Sequence, residues 1–463
     1  MTPEETLRVA VVGAGPAGFY AAGHLLAGDR PVCVDLFDRL PTPFGLVRAG
    51  VAPDHPKIKS VVRVYEKTAA KEGFRFFGGI ELGRDLHRAD LLERYHAVLY
   101  AIGAATDRRL GIPGEDLPGS EAATSFVGWY NGHPDFADNE YDLDIERVVV
   151  VGNGNVAIDC ARMLALSLDE LRATDTADHA IEPLASEAVK EIVILGRRGP
   201  AQAAFTNPEL LELGELELAD VIVDPADLEL DEASQAWLES DAASKTAREN
   251  VRILREYAAR EPAGKPKRIV LRFLTSPVEI LGDGRVEQIV VERNRLEPRE
   301  DGSLAARATG ERETLDTGLV LRSIGYKGIA IPEMPFDEGK GTIPNVAGRV
   351  VDGDQHVTGE YVTGWIRRGP SGVIGTNKKD GQEAAGSVLA DAEAGMLNAP
   401  PNDEDIAELL AERGAEPVDW DGWKRIDEHE VQAGTDSGRP RVKLSRYEEL
   451  LDAARAAAAG KRS

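Results

Sequence analysis

Short apolar runs bounded by glycine-rich turns recur along the chain and predict alternating strands and helices. Near the start, Leu7 to Val12 predicts a strand, the small-residue stretch Phe19 to Leu26 predicts a helix, and Val32 to Phe37 predicts a second strand. Strand, turn, helix and strand in this order make a β-α-β unit. We therefore expect the chain to begin with an α/β domain.

The same pattern returns near residue 148. Val148 to Val151 predicts a strand, Ile158 to Leu168 predicts a helix, and Ile192 to Leu195 predicts the next strand. We interpret residues 170–190 as a polar connection. The chain therefore carries two separate β-α-β units rather than one.

Further along, the pattern changes to short strands. Three runs predict strands: Ile269 to Phe273, Val278 to Leu281 and Val286 to Val291. The turn Gly282-Asp-Gly284 predicts that the last two form a hairpin. From about residue 395 onward, Pro400-Pro401 is followed by amphipathic helical segments. We expect the last few residues, which follow an Ala-rich stretch and are basic, to be frayed.

Length and charge narrow the class of protein. The 463 residues suggest two or three domains at roughly 150 residues each. With 54 Lys and Arg against 80 Asp and Glu, the formal net charge is −26. Such a chain repels nucleic-acid phosphates and anionic lipid, so we expect no nucleic-acid partner. A hydrophobic content of 42% argues against global disorder.

The two cysteines, Cys33 and Cys160, lie far apart in the sequence. They make neither a disulfide framework, nor a CxxC redox pair, nor a cysteine-ligated metal or iron–sulfur site, and we predict no metal site. No apolar run approaches the ~18 residues needed to cross a membrane, so we expect no membrane insertion. The N-terminus shows no signal or transit peptide, and we expect a soluble cytoplasmic protein.

The first glycine turn, Gly13-Ala-Gly-Pro-Ala-Gly18, follows a predicted strand and precedes a predicted helix. In a GxGxxG turn, one glycine makes the tight turn, one admits a pyrophosphate to the backbone, and one packs the helix on the strand. Asp38 ends the next predicted strand about 20 residues on, where an acid can accept hydrogen bonds from ribose hydroxyls. These features together predict a dinucleotide site.

The second turn is Gly152-Asn-Gly-Asn-Val-Ala157, a GxGxxA variant. After the following predicted strand, Gly196-Arg-Arg-Gly199 stands where an NAD site would place an acid. The guanidinium groups of Arg197 and Arg198 can grip a 2′-phosphate in bidentate fashion. The second unit is therefore predicted to bind NADP. Asp159, two residues past Ala157, either complements the helix dipole or acts beside the nicotinamide and flavin.

Several longer motifs carry a resemblance to a known family. They are Pro43-Phe-Gly-Leu-Val-Arg-Ala-Gly-Val-Ala-Pro-Asp-His-Pro56, Tyr100-Ala-Ile-Gly-Ala-Ala-Thr-Asp107, and Gly359-Glu-Tyr-Val-Thr-Gly-Trp365 with the glycine-rich residues after it. Together with both glycine turns, they resemble the adrenodoxin reductase type of ferredoxin–NADP reductase over nearly the whole chain. The resemblance implies two doubly wound, Rossmann-like α/β domains. Residues 1–105 and 331–463 would form the FAD domain, and residues 106–330 the inserted NADP domain.

The resemblance also assigns site residues. It places non-covalently bound FAD against Gly13, Gly15, Ala17, Gly18, Asp38, Leu46, Leu82, Trp365, Gly372, Val373 and Ile374. It places NADPH or NADP against Asn153, Gly154, Asn155, Val156, Arg197, Arg198, Glu209 and Gly372. His55 and Asp159 would tune the redox centre without acting as obligatory acids or bases.

The implied activity is hydride transfer from NADPH to FAD, followed by single-electron transfer to a ferredoxin-type iron–sulfur protein, carried out by a monomer. The alternatives are an NADPH diaphorase that uses a quinone or flavodoxin, and a flavin- and NADP-binding module without turnover. A disulfide reductase would need paired cysteines, and a flavin monooxygenase would need a substrate pocket for which there is no signature.

One feature departs from the family pattern. Acidic ferredoxins dock on basic residues in this family, yet residues 209–244 contain no Lys or Arg. Long-range steering of an acidic partner would be poor unless a local basic patch compensates. The candidates for such a patch are Lys57, Lys59, Arg63, Lys67, Arg367, Arg368, Lys378 and Lys379.

Overall fold

The computed structural model describes residues 5–300, 303–372 and 374–456. The strands are β1 Leu7–Val12, β2 Val32–Asp38, β3 Phe74–Gly78, β4 Ala97–Tyr100, β5 Thr106–Asp107, β6 Ser120–Ala122, β7 Arg147–Val151, β8 Glu191–Leu195, β9 Ala219–Val223, β10 Lys267–Arg272, β11 Thr275–Leu281, β12 Gln288–Pro298, β13 Leu304–Asp316, β14 Leu319–Arg322, β15 Tyr326–Lys327, β16 Asn345–Val346, β17 Arg349–Asp352 and β18 Gln355–Val362.

The helices alternate with these strands over most of the chain. They are α1 Pro16–Leu25, α2 Leu46–Ala49, α3 Pro56–Lys59, α4 Val62–Ala69, α5 Arg88–Arg94, α6 Ala123–Tyr130, α7 Asn155–Ala165, α8 Leu168–Arg172, α9 Asp178–Leu184, α10 Asn207–Leu213, α11 Glu232–Glu239, α12 Lys245–Ala258, α13 Trp365–Arg368, α14 Ile374–Glu393, α15 Ile406–Glu412, α16 Trp420–Ser437 and α17 Tyr447–Arg455. Short 3₁₀ helices span Pro134–Phe136, Pro200–Gln202 and Pro225–Leu228.

The chain divides into two compact units. The first contains residues 1–51, 55–106 and 325–463, and the second contains residues 52–54 and 107–324. The chain thus leaves the first unit near residue 106 and returns to it near residue 325, and the second unit is an insertion within the first.

The first unit is built on a seven-stranded sheet of order β16-β17-β18-β4-β1-β2-β3. The strands from β18 to β3 are parallel, and β16 and β17 pair antiparallel at one edge. Strand β1 is almost completely buried, which is expected of a central parallel strand with both faces covered. Helices α1 and α14 pack closely together, with Gly381 of α14 against the backbone of α1.

The second unit is built on a six-stranded parallel sheet of order β6-β14-β7-β8-β10-β9. One face packs on helices, including α6, α7, α9, α10 and α12, through a large apolar core. The other face packs on the antiparallel sheet β11-β12-β13, where Val149 and Val193 meet Ile280 and Ile289. The predicted hairpin is thus confirmed as β11 and β12, and β13 extends it.

Some predicted bounds were wrong. The segment 170–190 was interpreted as a connection, but it contains helices α8 and α9, whose apolar residues pack into the core. The helix predicted to run to Leu168 ends at Ala165, and a Ser167 capping box starts a new helix. Helices α15, α16 and α17 confirm the helical tail, whereas the frayed end was predicted for residues outside the described ranges.

In the described part of the chain, no helix is long and apolar enough to cross a membrane. Both thiols are free: Cys33 is exposed on β2, and Cys160 is buried in α7.

Candidate dinucleotide-binding sites

The first glycine turn joins β1 to α1, and each glycine has its own environment. Gly13 has a φ of +110°, and a Cβ there would come within 2.4 Å of the carbonyl oxygen of Ala101. A Cβ on Gly18 would come within 2.1 Å of the carbonyl oxygen of Gly13. A Cβ on Gly15, by contrast, would meet no described atom within 4 Å. Two glycines therefore close the turn, and Gly15 leaves space in front of the N-terminus of α1.

Asp38 ends β2 beside this turn. Its Oδ2 accepts a hydrogen bond from the Ala14 amide at 2.8 Å, and its Oδ1 accepts one from the Leu40 amide at 2.9 Å. Burial raises the pKa of Asp38, and these two amides partly oppose that shift. Each oxygen keeps a further acceptor site, so the carboxylate can still bind a ribose hydroxyl as the sequence predicts.

The loop before α2 brings Leu46 to the same turn. The Phe44 amide donates to the Ala14 carbonyl at 2.8 Å, and a Cβ on Gly45 would lie 3.1 Å from the Cα of Gly15. Leu46 follows directly and is 42% exposed. An apolar surface left open beside the diphosphate space is available to a ligand.

Trp365 begins α13 after Gly364, whose backbone packs against Ala17 of α1. Its ring lies 5.2 Å from that of Tyr326, centroid to centroid. The Trp365 Nε1 and the Thr363 Oγ1 are buried without a hydrogen-bond partner among the described residues. Because orphaned buried polar atoms are costly, both point to a bound polar ligand.

The remaining residues predicted to bind the flavin belong to the first unit, and fewer specific contacts characterise their positions. Leu82 packs against the apolar cluster that contains Phe37 and Ile80. Gly372 has a φ of +80° just before α14, and Ile374 begins that helix. Val373 lies outside the described residues. All these assignments stay predictions.

The second glycine turn repeats the geometry of the first. Gly152 has a φ of +131°, and a Cβ there would come within 2.0 Å of the Ser323 carbonyl oxygen. A Cβ on Gly154 would meet no described atom within 4 Å, and Ala157 is fully buried. Gly154 is the N-cap of α7, so its neighbouring amides face open space as in the first unit.

Three further predicted residues belong to this turn. Asn155 is the first residue of α7, and its Oδ1 accepts a hydrogen bond from the Thr206 amide at 2.8 Å. Asn153 accepts the Ala204 amide at its carbonyl oxygen at 3.1 Å. Val156 packs against the core of the second unit. The turn is thus tied to the segment that follows the arginine pair.

Arg197 and Arg198 lie directly after β8, and neighbouring backbone holds their turn in place. The Gly196 amide donates to the Arg272 carbonyl at 2.8 Å, and the Leu274 amide donates to the Arg198 carbonyl at 3.1 Å. Neither side chain has a carboxylate or hydrogen-bond partner within residues 5–300, 303–372 and 374–456. Burial, followed by the neighbouring guanidinium of Arg197, lowers the pKa of Arg198. An uncompensated pair of cations is a site for an anion.

Arg162 organises a group of carboxylates that sequence reasoning did not find. Its guanidinium contacts Asp54 at 2.6 Å, Asp159 at 2.8 Å and Glu209 at 3.1 Å, with Glu212 at 3.3 Å. Burial by itself lowers the pKa of Arg162, but the carboxylates of Asp159 and Asp54 raise it above its usual value. A buried arginine three residues after Asp159, on the apolar face of α7, was the available signal.

The structure places the three predicted tuning and NADP residues Asp159, Glu209 and His55 as follows. One alternative for Asp159 was that it complements the helix dipole, but α7 begins at Asn155, so Asp159 lies beyond the first turn and its carboxylate binds Arg162. Glu209 is buried in α10. His55 is the N-cap residue of α3, and its carbonyl oxygen accepts the Ile58 amide at 3.2 Å.

Two α/β units, each with a glycine turn in front of a helix, are the architecture of a protein that binds two dinucleotides. Residues 7–194 match the pyridine nucleotide-disulphide oxidoreductase family. The NADPH-ferredoxin reductase FprA of Mycobacterium leprae is 50% identical over 460 residues, with 97% of this chain and 99% of the relative covered. The mitochondrial NADPH:adrenodoxin oxidoreductase of Arabidopsis thaliana is 39% identical, with 97% and 95% covered.

A solved structure agrees with these relatives. Mycobacterium tuberculosis FprA in complex with NADPH superposes with a TM-score of 0.92 at 48% identity, covering 98% of this chain and 100% of that one. The chain therefore belongs to the adrenodoxin reductase-type family of NADPH-ferredoxin reductases, as its motifs predicted. It is an oxidoreductase, and FAD is the cofactor of the family.

Proposed function

We propose that this protein passes electrons from NADPH, through FAD, to a ferredoxin-type iron–sulfur protein. The observation that carries the proposal is the pair Arg197 and Arg198, held at the end of β8 without an acidic partner in the described ranges. A 2′-phosphate supplies the charge that this turn lacks, and that phosphate is what distinguishes NADPH from NADH. The family relationship supports the same conclusion.

FAD, when bound, supplies the conversion between a two-electron hydride donor and a one-electron acceptor. The residues that fit it are in the first unit. The space at Gly15 and the N-terminus of α1 suit the diphosphate, and Asp38 suits a ribose. The unpartnered Nε1 of Trp365 suits a polar ring edge. In the second unit, the space at Gly154 suits the diphosphate of NADPH.

Asp159 and Glu209 are positioning residues in this proposal. Arg162 holds both carboxylates in the second unit through direct hydrogen bonds. His55, Asp159 and Glu209 would orient the nicotinamide and tune the flavin, and none of them is assigned as an obligatory acid or base. Gly372 is assigned to both ligands on the family resemblance alone.

The ferredoxin partner is supported by the names of relatives that are 50% and 44% identical to this chain. The basic patch suggested by sequence is smaller than it looked, because Arg367 binds Glu383 at 2.9 Å and Arg368 pairs with Asp380. Arg63 and Lys67 remain exposed on α4. We propose that a monomer works in the cytoplasm.

The first test is an anaerobic titration of the purified yellow protein with NADPH and then NADH, followed by flavin absorbance. We expect NADPH to bleach the flavin at far lower concentration. Replacing both Arg197 and Arg198 with Ala should raise the NADPH requirement more than about tenfold and leave NADH unchanged, because the lost contacts are charge-assisted. Equal losses for both nucleotides would contradict the phosphate assignment.

Arg172→Ala is the matched control, because Arg172 is an exposed arginine of the same unit that already binds Glu182 at 2.5 Å. It should leave both titrations unchanged. A bound flavin that neither nucleotide bleaches would favour a binding module without turnover.

The acceptor needs a separate test because the strong negative charge leaves a second candidate function, an NADPH diaphorase acting on a quinone or flavodoxin. Reduced protein is mixed with ferredoxin, flavodoxin or a quinone, and the return of flavin absorbance is timed. Fastest reoxidation by ferredoxin supports the proposed function. Fastest reoxidation by a quinone or flavodoxin supports the diaphorase.

A further inference from the structure

The arginine turn is attached to the antiparallel sheet of the second unit, not only to its parallel sheet. Asn294 of β12 is buried, and its Nδ2 donates to the Arg197 carbonyl at 3.0 Å and to the Ser276 Oγ at 2.8 Å. The Asn294 amide donates to the Leu274 carbonyl at 2.7 Å, and the Leu274 amide donates to Arg198. Strand β12 therefore runs directly beside the turn.

The backbone has two irregular features where strand β12 meets the arginine turn. Leu274 has a φ of +53°, a left-handed conformation that a leucine rarely adopts. The β12–β13 pairing shifts register between Glu292 and Asn294, which marks a β-bulge. Bulges re-aim a strand, and this one precedes the part of β12 that continues past the arginines. Leu296 then reaches Gly199, with its Cδ1 3.6 Å from where a Cβ would be.

Arg299 follows the end of β12, three residues beyond Leu296. Its amide donates to the Ser303 carbonyl at 2.8 Å, which closes the hairpin. Its guanidinium is exposed, and no carboxylate or hydrogen-bond partner accepts it in the described portion of the chain. Burial, then Arg197 and then Arg299 lower the pKa of Arg198.

Neighbouring arginines of the same hairpin behave differently. Arg295 contacts Glu297 at 2.9 Å, and Arg307 contacts the same carboxylate at 3.5 Å. Arg197, Arg198 and Arg299 differ from these two, because none of the three has an acidic partner among the described residues of a chain with 80 Asp and Glu. Like charges repel one another, and an anion that binds among them offsets this repulsion.

We propose that Arg299 is a third cation of the 2′-phosphate site and adds to the preference for NADPH over NADH. The antiparallel sheet then has a function in nucleotide selection beyond covering one face of the parallel sheet. A phosphate monoester carries close to two negative charges at neutral pH, so a third guanidinium still gains from binding it.

The test measures binding of 2′,5′-ADP and of 5′-ADP to the flavin-loaded protein by calorimetry. Arg299→Ala should weaken 2′,5′-ADP binding about fivefold, the effect of one partly exposed charge pair, and leave 5′-ADP unchanged. Arg299→Lys should restore most of the affinity. The KM for NADPH should follow the same order, whereas the KM for NADH and both kcat values should not change.

Arg307→Ala is the matched control, since it removes an exposed arginine of the same hairpin that already has an acidic partner. It should leave both ligands unaffected, and melting temperatures should match the parent. Because this role rests on the proposed function, Arg198→Ala is measured in parallel. Arg198→Ala is expected to weaken binding of 2′,5′-ADP but not of 5′-ADP. If Arg299→Ala then leaves 2′,5′-ADP binding unchanged, the role proposed for Arg299 is wrong and the proposed function stands. If neither variant discriminates, the NADP assignment itself fails.

Discussion

At the scale of single residues, the glycines of the first turn have different roles. Gly13 is needed for the fold, because its φ of +110° and the Ala101 carbonyl at 2.4 Å exclude a side chain. Gly15 has an ordinary backbone and open space before it, so its lack of a side chain serves a ligand. A sequence motif treats the two as equivalent, but the structure separates them.

This difference makes a prediction about FAD. Gly15→Ala should keep the secondary structure and stability of the flavin-free protein but lower its affinity for FAD at least about tenfold, because the methyl group occupies the diphosphate space. Gly13→Ala should instead destabilise the protein with or without FAD, by about 2 kcal/mol or more, through strain and collision. Flavin content after gel filtration and thermal melts of both forms measure the two effects. Equal melting losses for both variants would contradict this division of roles.

At the scale of elements, a buried ion cluster joins helix α16 to helix α2. Glu430 is fully buried and accepts Arg48 Nη1 at 2.8 Å, Arg441 Nη1 at 3.0 Å and the Leu444 amide at 2.9 Å. Arg48 also lies over the ring of Trp423, 5.5 Å from its centroid. Since α2 begins with Leu46, this cluster fixes the loop that we assign to the flavin.

The cluster predicts a dependence of stability on pH. Burial by itself raises the pKa of Glu430, but Arg48 and then Arg441 hold it below the usual 4.5. Because the folded-state pKa is depressed, Glu430 stabilises the fold above the ordinary carboxyl pKa and loses that effect as pH falls through the folded-state value. Glu430→Gln should therefore cost about 3 kcal/mol at pH 7, by leaving Arg48 unpaired in the interior, and less in acid.

Urea unfolding of both proteins from pH 7 down to pH 3 measures this gap. Glu428→Gln removes an exposed acid of the same helix and should change the unfolding free energy little. A gap that stays constant across the range would show that Glu430 contributes by packing rather than by charge.

At the scale of the whole molecule, two compact units each carry one glycine turn. The second unit is inserted in the sequence of the first, and each has its own parallel sheet and apolar core. The strong net charge of −26 belongs to the molecule as a whole and constrains its partners more than its fold. Because each unit has its own sheet and core, we expect each nucleotide to slow amide exchange mainly in the unit that binds it.

Hydrogen exchange can test that assignment of ligands to units. Adding 2′,5′-ADP at saturating concentration should slow amide exchange around residues 152–157 and 196–199, because a ligand stabilises the state that it binds. Removing FAD should speed exchange around residues 13–18 and 44–49. Protection of the first turn by 2′,5′-ADP would reverse the proposed assignment of the two sites.

Local features could be predicted from the sequence alone. The strands β1, β2, β7 and β8, both glycine turns and the arginine pair were all found, because each depends on short-range pattern and on backbone conformations that only glycine adopts easily. The segment 170–190 was misjudged because its helices are short and gain their stability from packing on the core, which polar composition hides.

The sequence by itself determined that this is a two-site dinucleotide oxidoreductase, since its turns and family motifs are contiguous in the chain. Only the tertiary structure decided that Arg162 gathers Asp54, Asp159 and Glu209, and that Asn294 of the antiparallel sheet binds the turn of Arg197. These contacts join residues up to about a hundred positions apart, and their energies depend on burial and on missing counter-charges. Neither property is encoded in local spacing, so both become visible only when the chain is folded.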